Sequence, residues 1–141
     1  MADENLAAVV NHSGGSYPVV AGWGILDDLG SRLVDLGRKG PAYIITDTNV
    51  MNPYGRQAQL ALQKYDIAAH IFIIPAGETS KSFSLVQSIY DWLVERRAER
   101  GHPIIAVGGG VVGALAGFVA ATFLRGVPFV KVPTSLAALG A

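Results

Sequence analysis

Apolar residues along this chain fall into short unbroken runs separated by stretches of helical spacing, and the two patterns alternate. The segment Tyr17-Pro18-Val19-Val20-Ala21 is short and β-prone, and its proline marks it as an edge strand. Gly22-Trp23-Gly24 turns the chain toward Ile25, Leu26, Leu29, Leu33 and Leu36, the spacing of an amphipathic helix. Glycine and basic residues over 37–41 close that helix. Ala42-Tyr43-Ile44-Ile45-Thr46 is a continuous run of strand length, as expected of a strand covered on both faces. A helix carrying Leu60 and Leu62 runs to about Lys64, and His70-Ile71-Phe72-Ile73-Ile74 makes a third strand, stopped by Pro75-Ala76-Gly77.

A second half repeats the scheme. Thr79 or Ser80 caps a helix whose apolar stripe is Phe83, Val86, Ile89, Tyr90 and Leu93, with Glu95, Arg96, Arg97 and Glu99 toward solvent. Ile104-Ile105-Ala106-Val107 is the next buried strand. The triplet Gly108-Gly109-Gly110 opens an apolar helix ended by Arg125-Gly126, and Pro128-Phe129-Val130-Lys131-Val132 is a last strand before Pro133-Thr134-Ser135. Strands alternating with helices at this spacing predict an α/β fold, an open, mostly parallel Rossmann-like sheet with helices on both faces. Residues 1–16 carry no apolar period and are expected to be a flexible lead that frays or adds a short edge element, leaving 17–141 as a single domain.

Composition narrows the partners. Half of the 141 residues are hydrophobic, enough for one packed core, and eleven basic side chains balance eleven acidic ones. No sequence-wide field attracts a polyanion, so nucleic acid is not an expected partner. The absence of cysteine excludes a disulfide framework and a thiolate metal site, and the acidic start Met1-Ala2-Asp3-Glu4-Asn5 is unlike a basic signal peptide, which together point to a cytoplasmic setting. Residues 103–124 lack charge over a length that would cross a bilayer. They also hold five glycines, each costing a helix interior on the order of 1 kcal/mol, so a strand, a glycine turn and a buried helix are expected there instead of a membrane span.

In open parallel sheets the ligand crevice lies outside the carboxyl ends of the strands. The residues that follow the strands are Asp47 and Asn49, then Gly77, Glu78 and Lys81, then the glycine triplet, then Thr134 and Ser135. Taken singly, most of these have a plain reading as helix caps and turns. The triplet says more, because glycines between a buried strand and a helix N-terminus let the backbone approach a phosphate, where open amides and the helix dipole favour its charge. Gly108-Gly109-Gly110-Val111-Val112-Gly113 matches a dinucleotide fingerprint, yet no acid follows at about twenty residues, since Glu99 is the last acidic residue in the chain. Ribose hydroxyls would have to be met by Asp47 or Glu78. His12, His70 and His102 have no metal-ligand spacing, and the latter two stand at strand entrances, away from the crevice.

Four motifs in order carry a family resemblance: Pro75-Ala76-Gly77-Glu78-Thr79-Ser80-Lys81-Ser82, the glycine triplet with Val111-Val112-Gly113, Gly117-Phe118-Val119-Ala120-Ala121-Thr122-Phe123-Leu124-Arg125-Gly126, and Val132-Pro133-Thr134-Ser135-Leu136. Over about residues 17–136 the chain resembles the N-terminal domain of 3-dehydroquinate synthase. Glycerol dehydrogenases and the cyclases that make inososes or valiolones are its near relatives in fold.

The resemblance implies a shikimate-pathway lyase. It would convert a seven-carbon keto-acid phosphate to 3-dehydroquinate with NAD as a transient oxidant and a divalent metal, usually zinc. It implies cofactor contacts at Asp47, Asn49, Glu78, Lys81, Gly109, Gly110, Val111, Thr134 and Ser135, and an Arg125 that reaches substrate phosphate across a homodimer interface. Two departures stand out. The family has aspartate where this chain has Ala114, so weak NAD binding is expected, and the family continues past residue 141 into a Gly-Gly-Lys loop and a helical domain with a Glu/His/His metal site. The expectation is therefore a cofactor-binding half with no catalytic or metal residues of its own, inactive alone. The alternatives are a stand-alone or engineered α/β module with weak or no nucleotide binding, or a domain of a related sugar-phosphate cyclase.

Overall fold

The computed structural model describes residues 7–12, 15–20, 29–31, 33, 34, 37, 40–76 and 83–134. Its strands are β1 (Ala7–His12), β2 (Gly15–Val20), β3 (Ala42–Asp47), β4 (Ala69–Ile74), β5 (Ile104–Gly108) and β6 (Phe129–Pro133). Its helices are α1 (Arg56–Gln63), entered through an irregular turn at Met51–Gly55, α2 (Phe83–Glu95) and α3 (Gly110–Thr122). Residues 29–31, 33 and 34 are also helical. One six-stranded sheet joins the strands in the order β2-β1-β6-β5-β3-β4. The four strands from β6 to β4 are parallel, and β1 and β2 are antiparallel additions, so the open, mostly parallel sheet expected from the alternation is present.

Period-two alternation splits each central strand between two cores. Tyr43, Ile45, Ile104, Ala106 and Phe129 pack on one face against Val86, Ile89, Trp92 and Leu93 of α2 and Val112, Leu115, Ala116 and Val119 of α3. Ala42, Ile44, Ile105, Val107, Val130 and Val132 pack on the other against Leu29, Leu33 and the α1 residues Ala58, Ala61 and Leu62. Burial on both sides is why these strands read as unbroken apolar runs.

Two expectations are corrected. Residues 7–12 do not fray at an edge: β1 lies between β2 and β6, with Ala7 opposite Val20, His12 opposite Gly15 and Val10 opposite Val130. The sheet thus takes in residues that precede Tyr17, and the edge position belongs to β2, as its proline suggests. Phe83, placed in the buried stripe of α2, is 88% exposed because it opens the helix before the sheet is reached, while Trp92, absent from that stripe, is buried. Leu60 is 57% exposed, and two alanines with Leu62 supply the buried face of α1.

The sheet's amino-terminal edge carries an aromatic stack. The Tyr43 ring lies between His70 (centroids 5.3 Å apart) and His102 (6.1 Å), with Trp92 edge-on at 5.5 Å. The Tyr43 hydroxyl donates to the Arg96 carbonyl at 3.3 Å, and burial raises its pKa, keeping it the neutral donor. His102 Nδ1 accepts the Glu99 N–H at 3.0 Å. Burial, assisted by the Arg96 charge, lowers the His70 pKa below 6.5. The unfolded chain therefore takes up this proton at a higher pH than the native one. The stability His70 confers is complete above about pH 6.5 and is lost as pH falls from there through its folded pKa. Urea midpoints measured from pH 8 to 5 should fall on the acid side, and His70→Gln should flatten that fall; an unchanged pH dependence in the variant would remove His70 as its source.

Candidate functional site at the carboxyl edge of the sheet

Register places the ends of three neighbouring strands in one row. Thr46 is level with Val107, and Gly108 is level with Pro133, so Asp47, the glycine turn and Thr134 follow one another across β3, β5 and β6. At about 4.8 Å per strand spacing, this row is about 10 Å wide. Three hydrogen bonds tie the loops at this edge. The Thr134 N–H donates to the Gly108 carbonyl at 3.1 Å. After β3, the Thr48 N–H donates to the Ile74 carbonyl at 3.1 Å, and Thr48 Oγ1 accepts the Ala76 N–H at 3.3 Å, joining the loops that follow β3 and β4.

The glycine turn is built to be approached. Gly109 precedes α3 with extended backbone (φ −81°, ψ −167°) and no side-chain cap, and a Cβ placed on it would meet nothing within 4 Å. The first i→i−4 bond of α3 runs from the Gly113 N–H to the Gly109 carbonyl at 3.0 Å. The N–H groups of Gly110, Val111 and Val112 therefore precede the helical ladder, as the first donors of any helix do. Gly109, Gly110 and Val111 are all partly exposed. Backbone N–H groups at the start of a 13-residue helix, its positive end and the room above a glycine suit a diphosphate.

Asp47 does what the plain reading of its sequence position suggests: Oδ1 accepts the N–H groups of Asn49 and Val50, each at 2.9 Å. That fixes the turn into α1 and commits one carboxylate oxygen. Asn49 is exposed in the same turn. The structure thus brings Asp47, Asn49, Gly109, Gly110, Val111 and Thr134 to one edge. Glu78, Lys81 and Ser135, and the caps read at Thr79 and Ser80, lie outside the described residues. Arg125 is not at this edge. It sits between α3 and β6, at the amino-terminal side of the sheet, about five strand residues or 17 Å away. Leu124, Arg125 and Gly126 follow one another with φ of 50°, 65° and 109°, a left-handed run that ends the helix.

Ala114 is exposed and one turn after Gly110, on the same helix face. Sequence reasoning missed Thr48, whose bridging role depends on which loops lie side by side, and Lys131, read only as part of a strand. Among the described residues no three His, Cys, Asp or Glu side chains come together as a metal site. No helix among them is long and apolar enough to cross a membrane.

Comparison with known proteins finds related sequences and related folds. A family model described as the 3-dehydroquinate synthase N-terminal domain matches residues 71–140. The chain is 45% identical over 123 residues to the 3-dehydroquinate synthase of Symbiobacterium thermophilum, covering 86% of this chain and 34% of that protein. It is 39% identical over 141 residues to that of Prochlorococcus marinus, covering 99% and 38%. The chain spans about a third of the length of the curated relatives it matches. A solved structure of 2-deoxy-scyllo-inosose synthase with carbaglucose-6-phosphate, NAD+ and Co2+ superposes with a TM-score of 0.81 at 25% identity, covering 94% of this chain and 35% of the other. The 2-epi-5-epi-valiolone synthase of Streptomyces hygroscopicus, with NAD+ and Zn2+ bound, matches at TM-score 0.64 and 30% identity over 73% of this chain and 29% of its own.

Proposed function

Because this chain belongs to the 3-dehydroquinate synthase family through its N-terminal domain, we propose that it is the NAD-binding half of a 3-dehydroquinate synthase, a lyase that eliminates phosphate from a seven-carbon keto-acid phosphate and closes the ring. The observation that carries this reading is the open glycine turn beside Asp47 and Thr134 on adjacent strand ends. Identities of 39–45% to 3-dehydroquinate synthases, against 25% and 30% to the inosose and valiolone synthases, favour this member of the cyclase class.

NAD, when bound, would supply reversible hydride acceptance from a substrate alcohol. The chain's own residues hold it. The N–H groups of Gly110, Val111 and Val112 donate to the diphosphate, and the bare Gly109 lets it come within hydrogen-bonding distance. Asp47 and Glu78 accept from ribose hydroxyls, and Asn49, Lys81, Thr134 and Ser135 complete the rim. Arg125, on the far edge, serves the substrate phosphate of a second copy in a homodimer. The described residues do not form a metal-ligand set, so no step is assigned to a metal in this half, and the polypeptide of these 141 residues is expected to show no turnover by itself.

Ala114 makes the affinity low. A carboxylate on that exposed helix position would add a charge-assisted hydrogen bond of about 1.5–3 kcal/mol to a ribose or amide group of the cofactor. Isothermal titration with NAD should show weak binding by the unsubstituted chain and about tenfold to hundredfold tighter binding by Ala114→Asp. No heat from either protein would overturn the cofactor reading. Equal affinities would mean that position 114 does not face the cofactor.

A further inference from the structure

We propose that Lys131 is a diphosphate-recognising residue of this edge, an inference that rests on the reading of the edge as a nucleotide site. Lys131 lies on β6, level with Ala106 of β5. Its neighbours Val130 and Val132 belong to the core on the α1 side and Phe129 to the core on the α3 side, so alternation turns Lys131 toward α3. There its side chain crosses the helix at Gly113. A Cβ on Gly113 would stand 3.1 Å from Cε, 3.7 Å from Cδ and 3.9 Å from Nζ of Lys131. The outer methylenes thus lie close over Gly113, where a larger residue would press on the end of the lysine side chain.

The direction of the side chain follows from the two elements. Ala106 is two residues, about 6.6 Å, short of Gly108 at the strand end. Gly113 is three residues, about 4.5 Å, into α3 from Gly110 at the same edge. A side chain that starts level with the first and passes the second is climbing toward the glycine turn, and it carries its ammonium with it while the stem stays covered. The half-buried Lys131 lies over the first turn of α3, and a point charge there adds to neutral N–H donors, a pairing that a diphosphate uses.

The test is a titration of three proteins, unsubstituted, Lys131→Met and Lys131→Arg, with ADP and with adenosine. Methionine keeps the covered stem and removes the charge. ADP binding should weaken about tenfold in Lys131→Met and recover in Lys131→Arg, adenosine affinity should stay within about twofold throughout, and the salt dependence of ADP binding should be shallower in Lys131→Met. Equal ADP affinity in the unsubstituted and Met proteins would overturn the inference and leave the cofactor reading standing. An equal loss for ADP and adenosine would assign Lys131 a packing role and overturn it too. If the unsubstituted chain binds neither ligand, the reading of the edge falls and the inference with it.

Discussion

Gly108→Ala is expected to lower the melting temperature by about 10 °C. A Cβ at this position would lie 2.9 Å from both Cβ and Cγ2 of Val112 and 3.2 Å from its Cγ1. Val112 is 1% exposed and sits in the core between α3 and the sheet, and its β-branched side chain is fixed in the helix. The clash has no flexible end to absorb it, so α3 must shift from the end of β5. Overpacking of this kind costs about 3 kcal/mol, which for a domain of this size corresponds to the stated shift. Gly109→Ala, one residue on, should change the melting temperature by less than about 2 °C, because its backbone is extended and its Cβ meets nothing within 4 Å. Thermal unfolding followed by circular dichroism compares the two directly. Equal losses at both positions, or none at Gly108, would contradict the packing described for this turn.

Gly109→Asp should separate folding from binding. Aspartate is a favoured residue at the position before a helix, where its carboxylate accepts from the open N–H groups that follow and stabilises the helix by about 1 kcal/mol. At Gly109 there is space for it and no existing side-chain cap to displace. The variant is therefore expected to melt at the same or a higher temperature. The same carboxylate takes the donors meant for a diphosphate and sets a negative charge against it. Losing about 3 kcal/mol of charge-assisted hydrogen bonding weakens NAD or ADP at least about a hundredfold. A variant that gains stability and loses nucleotide argues for the turn as the binding element. A variant that binds as before argues against it.

The fold was legible where burial on both faces leaves a continuous apolar run, as at Ile44 and Ile45, and where glycine breaks such a run, as at Gly108. It was illegible at β1. Ala7-Ala8-Val9-Val10 is too short and too rich in alanine to signal a strand, and its pairing partner β6 lies about 120 residues away. The nearer signal is Ser13-Gly14 between two pairable segments, a hairpin spacing masked by the polar Asn11 and His12 and by the glycines around it. The exposed Phe83 marks a similar limit: a periodic stripe gives the buried face of a helix but not the turn at which that face meets the sheet.

The candidate site was legible as a list and not as a shape. Strand ends followed by Asp47, the glycine triplet and Thr134 are visible in sequence, and the sheet order then sets them side by side. Which oxygen of Asp47 is already committed, that Thr48 bridges two loops, and that Lys131 lies over Gly113 depend on contacts between elements far apart in the chain.

Backbone amide shifts of the 15N-labelled protein, recorded as NAD is added, test the central claim most directly. Binding at the carboxyl edge predicts that the Gly109, Gly110, Val111 and Thr134 amides move most, followed by those of Asp47 and Asn49. The Tyr43, His70 and His102 amides at the opposite edge should stay in place. Shifts centred on that opposite edge, or a spectrum unchanged by millimolar NAD, would contradict the account.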